Sequence, residues 1–321
     1  MSRTRILVTG AGGFVGRALV GTLLDSIDSM KIDLLTAVDL SLGDAGFPAH
    51  PVLRPIHGSL NAEPVRALAL AEPPDLVFHL AGITSGQAEH SFQAGLNTNV
   101  LATIALFEDL RRLGHSPRLV QTSSIGVFGL PLPSRVDDAT PTIPTLSYGA
   151  QKLMMEILLA DHSRRGWIDG RSVRLPSVVA RPAGPNGALS SFASDLIREL
   201  MEGRSYECPV DSQGTIWLLS ITACVQAMLH AAKVDAALLP RSRAWTLPVL
   251  RASISEIVAA IASRRDKTAH IRYEANPLLI EQFARWPELE TALAESLGFV
   301  ADRSLAQLLD SVETSLKSKR A

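Results

Sequence analysis

Tyr148 and Lys152 stand four residues apart in a stretch of helical periodicity, so their side chains leave one helix face and can reach one site. A phenol is a poor base, with a pKa near ~10, but a neighbouring ammonium favours the phenolate and lowers that value. Tyr148 can then exchange a proton near neutral pH. Ser124 follows the run Arg118–Ser123, which reads as a buried strand, and its hydroxyl at the carboxyl end of that strand can hydrogen-bond a substrate oxygen. Together these are groups for taking the proton from a hydroxyl while a hydride leaves the carbon. A lone Tyr-x-x-x-Lys pair also occurs on ordinary amphipathic helices, so the surrounding pattern has to decide.

That pattern begins at Ile6, Leu7 and Val8, an apolar run that reads as a buried parallel strand leading to Thr9 and Gly10. Gly10, Gly13 and Gly16 follow in G-x-x-G-x-x-G spacing, and from Phe14 and Val15 onward the apolar residues recur at helical intervals. A glycine turn between strand and helix is where a pyrophosphate docks: the backbone can approach it closely, and the helix start offers N–H groups and a positive dipole end. Leu34 to Val38 reads as the second strand, and Asp39 at its end accepts hydrogen bonds from an adenosine ribose and repels a 2'-phosphate. The expected cofactor is therefore NAD, not NADP. A solvated Asp at a strand end is the plain alternative for Asp39.

The 321 residues are 46% hydrophobic and 20% charged, with a formal net charge of −1, as befits a globular enzyme with a sizeable core. No basic run or aromatic-interleaved basic patch marks a nucleic-acid groove or a membrane surface, so a small-molecule partner is expected. Cys208 and Cys224 lack metal-ligand spacing and read as reduced thiols, with no zinc site. Polar Ser2 to Arg5 run straight into the first strand, and no apolar stretch approaches the ~20 residues of a membrane span, so the expected location is cytoplasmic.

Strands are expected at Arg5–Thr9, Leu34–Asp39, Val52–His57, Leu76–Leu80, Arg118–Ser123 and Ser172–Leu175, alternating with helices at Glu63–Leu70, Asn97–Leu113 and Ser147–Arg165. The fold class is α/β, a Rossmann-type doubly wound parallel sheet with a smaller, mixed α/β C-terminal substrate lobe. Residues 1–176 form the NAD-binding domain, a segment at about 216–247 returns to it, and 177–215 with 248–321 make the substrate lobe.

In its motifs the chain resembles the extended short-chain dehydrogenase/reductase family, which includes nucleotide-sugar epimerases and dehydratases. The resemblance rests on Thr9 to Gly16, Asp39, His79-Leu80-Ala81-Gly82, Asn97-Thr98-Asn99-Val100, Thr122 to Gly129 and Tyr148-Gly149-Ala150-Gln151-Lys152. It implies that Ser124, Tyr148 and Lys152 are catalytic and that Lys152 also holds the nicotinamide ribose. By the same resemblance Leu80, Ala81 and Gly82 line the cofactor, as do Thr122, Pro176 and Val178, and Asn99 supports the site. It further implies a homodimer built on the Asn97 and Tyr148 helices.

Two departures stand out. Gly58-Ser59 replaces the Gly-Asp pair that many relatives place near the adenine. Thr215 to Ser220 carries no arginine where nucleotide-sugar enzymes hold the substrate diphosphate, which weakens the epimerase reading. A narrower resemblance is to the D-erythronate dehydrogenase group, through Ile83 to Glu89, Arg174 to Pro182, Ser190 to Ser194, and Cys208-Pro209-Val210 leading to Trp217–Ser220. It implies oxidation of the 2-hydroxyl of a four-carbon sugar acid.

Such a substrate needs a cation or several donors for its carboxylate and small polar groups for its hydroxyls. Arg181, Asn186, Ser190 and Ser191 are candidates for the first, and Thr84, Ser85 and Ser177, with Ser124, for the second. Arg181 is equally readable as a surface ion pair, and Ser190 or Ser191 as a helix cap. A nucleotide-sugar epimerase or dehydratase, or a noncatalytic NAD-binding sensor, are the competing functions; a sensor has no need of a general base.

Overall fold

The computed structural model describes residues 4–42, 46–183, 189–264 and 270–317. The chain divides into two compact units, the first made of Met1–Val127, Pro144–Arg174 and Met228–Trp245 and the second of Phe128–Ile143, Leu175–Ala227 and Thr246–Ala321.

Unit 1 is built on a seven-stranded sheet of β1 (Thr4–Thr9), β2 (Ile32–Asp39), β3 (Leu53–His57), β4 (Leu76–His79), β5 (Arg118–Ser124), β6 (Asp169–Leu175) and β7 (Ala244–Thr246). Their order across the sheet is β7-β6-β5-β4-β1-β2-β3, and pairing is parallel from β3 through β2, β1 and β4 to β5. Strands buried on both faces explain the nearly unbroken apolar runs, Ile6-Leu7-Val8 among them. The order reverses between β1 and β4, and ligands bind at such a switch point, beyond the carboxyl ends of the strands. Register completes the geometry: Thr9 pairs with Val38 on one side and with His79 on the other, and His79 pairs with Gln121. Gly10, Asp39, Leu80 and Thr122 are thereby delivered to one edge.

Helices cover the sheet: α1 (Phe14–Asp25), α2 (Glu63–Ala69), α3 (Ser85–His90), α4 (Ala102–Leu113) and α5 (Ser147–Arg164). Leu106, Phe107 and Leu110 of α4 and Leu159 of α5 pack with Leu7, Val77 and Leu119 of the sheet in one continuous core. The helix expected over Asn97–Leu113 is α-helical only from Ala102. Leu96–Leu101 is a π-helix, in which the Ala102 N–H donates to the Asn97 carbonyl five residues back.

The strand expected at Ser172–Leu175 begins earlier, at Asp169, because the charged Arg171 is a core residue here. Its guanidinium is fully buried, donating to the carbonyls of Asp169 and Val234 and pairing with the Asp169 carboxylate.

Unit 2 contains a three-stranded sheet in which Thr215–Ser220 lies between Ser177–Val179, parallel to it, and Leu250–Ser253, antiparallel. Two-stranded pairings join Arg135–Val136 to Glu288–Leu289 and Tyr206–Cys208 to Ile271–Tyr273. These contacts correct the expected domain limits. Thr215–Ser220 is held by unit 2 strands, so the segment returning to unit 1 is Met228–Trp245, shorter than 216–247. Residues 128–143 leave unit 1 because their strand and Asp138, whose carboxylate accepts from the Leu293 N–H, are tied into unit 2. Among the described residues no helix is long and apolar enough to cross a membrane.

Two glycines of α1 give opposite expectations. A Cβ at Gly16 would collide with the Gly10 carbonyl oxygen, whereas one at Gly21 meets nothing within 4 Å. Gly16→Ala should therefore cost ~1–3 kcal/mol by overpacking, and Gly21→Ala should stabilise by roughly 0.5–1 kcal/mol through helix propensity. Urea midpoints moving in the same direction in both variants would contradict this packing.

Candidate active site

Gly10 leaves β1 with φ +71°, a conformation side chains resist, and a Cβ there would stand 2.5 Å from the Ala81 nitrogen. The turn and the Leu80–Gly82 segment thus approach as bare backbone. Gly13 is exposed at the N-cap of α1 and offers no side-chain acceptor to the first-turn N–H groups. Asp39 has work beyond any ligand: its two oxygens accept from the Gly12 N–H at 2.9 Å and the Ser41 N–H at 3.0 Å. Each oxygen keeps a further lone pair. Arg17 braces the same turn, donating to the carbonyls of Gly12, Leu42 and Gly46 and stacking on Phe47.

A cleft of about 140 Å³ opens between these segments, lined among others by Gly10, Gly13, Asp39, Ser59, Asn61 and Gly82. Bare backbone at a helix start, a carboxylate at the end of β2 and a cleft joining them fit the phosphates and adenosine ribose of a dinucleotide. Gly58-Ser59, in place of the familiar Gly-Asp pair, lies on the cleft wall.

The side chains expected to react come from β5 and α5. Gly149 presses so closely on the Gly126 carbonyl that a Cβ could not fit, and a Cβ at Gly126 would lie 3.3 Å from Ser124 Oγ and 3.7 Å from Tyr148 Cδ1. Ser124 and Tyr148 therefore flank the same glycine. Ser124 Oγ accepts from the Gly126 N–H at 3.0 Å, which leaves its own proton available for donation. Lys152 Nζ lies 5.7 Å from the centre of the Tyr148 ring and donates to the Thr122 carbonyl at 2.9 Å. Burial pulls its pKa down to about 8, against the opposing pull of Glu156. An ammonium with that pKa remains largely charged at neutral pH.

Asn99, in the π-helix, clamps Ile83 by both backbone groups, with Oδ1 accepting from its N–H at 2.8 Å and Nδ2 donating to its carbonyl at 3.2 Å. Nδ2 also donates to Gln151 Oε1 at 2.7 Å, joining the cleft wall to α5. Gly82 sits between these groups: a Cβ there would be 2.9 Å from Asn99 Oδ1 and 3.6 Å from Lys152 Nζ.

Beneath lies His79, buried, with Nδ1 2.7 Å from Thr9 Oγ1 and Nε2 2.9 Å from Thr103 Oγ1. Thr103 commits its single proton to the Asn99 carbonyl, so it must accept from His79 Nε2–H, and Nδ1 in turn accepts from Thr9. His79 is thereby the neutral Nε2–H tautomer. Burial, then the Lys152 charge, lowers its pKa to about 3.

Phe14, Val15 and Gly16 form the first turn of α1. Thr84 is the N-cap of α3 and Ser85, its first residue, is buried. The other candidates belong to unit 2. Pro176 and Val178 are buried there, and Ser177 pairs with Leu218. The Arg181 carbonyl accepts from Arg198, and Ser191 is the N-cap of the helix Phe192–Met201, without a side-chain capping bond. Ser190 immediately precedes that cap, and Asn186 lies outside the described residues. Trp217 is core, its indole donating to the Pro287 carbonyl. Sequence reasoning gave His79 and Gln151 no role of their own and missed Thr103 and Glu156; the last was visible as an acid one helical turn beyond Lys152, on the same face.

Residues 6–240 match the NAD dependent epimerase/dehydratase family. The chain is 36% identical to a D-erythronate dehydrogenase of Cupriavidus necator over 95% of its length and 96% of the relative's. It is 32% identical to a D-erythronate dehydrogenase of Haemophilus influenzae over 95% and 97% of the two chains. Among solved structures it resembles a nucleoside-diphosphate-sugar epimerase from Agrobacterium tumefaciens, with TM-score 0.90 and 33% identity, covering 99% of this chain and 96% of that one.

His79 makes stability depend on pH in a set direction. A histidine in the unfolded chain titrates near 6.5 and folded His79 near about 3, so between those values the unfolded state binds more protons and stability falls as pH falls. Urea midpoints above and within that window should show this loss, and His79→Gln, which cannot charge, should have a flatter dependence. An equal slope in the variant would refute the neutral buried histidine.

Proposed function

This chain belongs to the NAD dependent epimerase/dehydratase family, and from that premise we propose that it oxidises the 2-hydroxyl of a small sugar acid, D-erythronate foremost, to a ketone. The observation that carries the substrate class is the 36% identity, over nearly the whole chain, to a D-erythronate dehydrogenase.

Gly10, Gly13, Phe14, Val15 and Gly16 would take the pyrophosphate at the start of α1, and Asp39 the adenosine ribose. Leu80, Ala81, Gly82, Asn99 and Thr122 would border the nicotinamide end with Tyr148 and Lys152, and Pro176 and Val178 would complete that border. When bound, NAD supplies the acceptor for the hydride leaving the substrate carbon. Ser124 donates its free hydroxyl proton to the substrate oxygen and orients it. Tyr148, as phenolate, removes the hydroxyl proton, and the Lys152 ammonium stabilises that phenolate. Thr84, Ser85, Ser177, Arg181, Asn186 and Ser191 remain the candidates for holding the sugar acid.

The epimerase reading has its own support in the likeness to a nucleoside-diphosphate-sugar epimerase. Against it, Thr215–Ser220 carries no arginine, and Arg251 on the strand paired with it is committed to the Trp286 carbonyl and the Glu288 carboxylate. We further propose a homodimer. Phe92, Leu101, Met154 and Ile157 are 61%, 47%, 44% and 64% exposed on mutually packed helical segments, and a second copy would cover them.

NADH formation should be strong with D-erythronate in a panel of aldonic and uronic acids, and Tyr148→Phe should lower kcat by roughly a hundred- to ten-thousand-fold with NAD affinity nearly unchanged. Near-normal turnover in the variant would remove the base assignment. Silence across the panel, with NAD retained through purification, would favour the epimerase. Light scattering should give twice the chain mass, and Leu101→Glu with Ile157→Glu should halve it; a monomeric parent would end the dimer proposal.

A further inference from the structure

Three consecutive residues of β5 are each tied to a different part of α5. Ser124 meets Tyr148 across Gly126, Thr122 accepts from Lys152, and Ser123 donates to Glu156 Oε1 at 2.5 Å. Glu156 is 3% exposed, an expensive place for a carboxylate, and it takes a two-pronged grip from Arg174 of β6, Nε to Oε1 at 3.0 Å and Nη2 to Oε2 at 2.8 Å. A buried ion pair contributes little net stability, so its placement one helical turn from Lys152 calls for another account.

We propose that Glu156, fixed by Arg174 and Ser123, is a positioning residue that keeps the Lys152 side chain charged and directed at the Thr122 carbonyl beside Tyr148. This rests on the dehydrogenase reading for its purpose, but not for its geometry. Among the described residues the groups around Lys152 include Tyr148 and Glu156 on its own helix, the neutral His79 of β4, the Thr122 carbonyl of β5, and Gly82 with Asn99. Glu156 is the negative charge among them and works against the burial that lowers the lysine pKa. Arg174 grips both oxygens of that carboxylate, and Ser123 holds one of them from β5. Without Glu156, Lys152 would lose its proton nearer neutrality, and its nitrogen would no longer be an obligate donor to Thr122 or a charge partner for the phenolate.

The test reads Lys152 directly in NAD-free protein, by trace acetic anhydride labelling across pH with peptide mass spectrometry. The parent should show a labelling midpoint of about 8. Glu156→Gln should lower it by about one pH unit, Glu156→Asp should largely restore it, and the alkaline limb of kcat should move down with it. Glu156→Gln takes the carboxylate away from Arg174, so the paired change Glu156→Gln with Arg174→Gln serves where the single variant does not fold, and its midpoint should also fall. An unchanged midpoint in either folded variant overturns the proposal. Because labelling needs no turnover, lost activity on sugar acids with the shift intact would count against the substrate and leave the positioning role standing.

Discussion

The contact of Gly149 on Gly126 fixes how far α5 can slide along β5, and the site depends on that register. A Cβ on Gly149 would run into the Gly126 carbonyl, so the helix sits at a depth and phase that only glycine at position 149 allows. From that phase follow Tyr148 beside Ser124, Lys152 on the Thr122 carbonyl and Glu156 on Ser123, each a helical step further along. A single main-chain contact thus places three polar side chains that would otherwise need separate support.

Around them charge is arranged by burial. His79 is held neutral between two hydroxyls, Lys152 is poised to titrate, and the buried Glu156 carboxylate is gripped by a bidentate arginine. A second protonated group next to Lys152 would oppose its charge, and the two-hydroxyl cage on His79 avoids this while joining β1, β4 and α4. The Asn99 clamp extends the same logic to the cleft wall, since the backbone of Ile83 is held by a side chain that also grips α5.

Much of this was legible in the sequence where period and spacing carry it. Ile6-Leu7-Val8, Leu76–Leu80 and Arg118–Ser123 read as strands because both sheet faces are buried, within a residue of the observed ends at His79 and Ser124, and G-x-x-G-x-x-G before a helical run gave away the turn. Seeing Tyr148 and Lys152 together needed only the helix period. Other features depended on contacts that no local pattern announces. Arg171 disguised the start of β6 because a charged core residue defies hydrophobic periodicity, and the π-helical turn at Leu96–Leu101 has the composition of an ordinary helix. Thr215–Ser220 has a buried strand's composition, but which sheet it joins is set by partners more than thirty residues away on either side. Glu156 could be seen on the lysine's face; its burial and its arginine could not.

The division of the chain bears on how it is made. The polypeptide passes between the two units five times, and an edge strand of the central sheet, Ala244–Thr246, is contributed only after two of the three segments of unit 2 have been made. On a ribosome the sheet edge beyond β6 stays open until that strand emerges, leaving β6 backbone groups ready to pair with another nascent chain. Synthesis that stalls before residue 244 therefore leaves Ser124, Tyr148 and Lys152 on a sheet with an open, aggregation-prone edge, and truncation from the C-terminus is a poor route to a minimal cofactor-binding fragment.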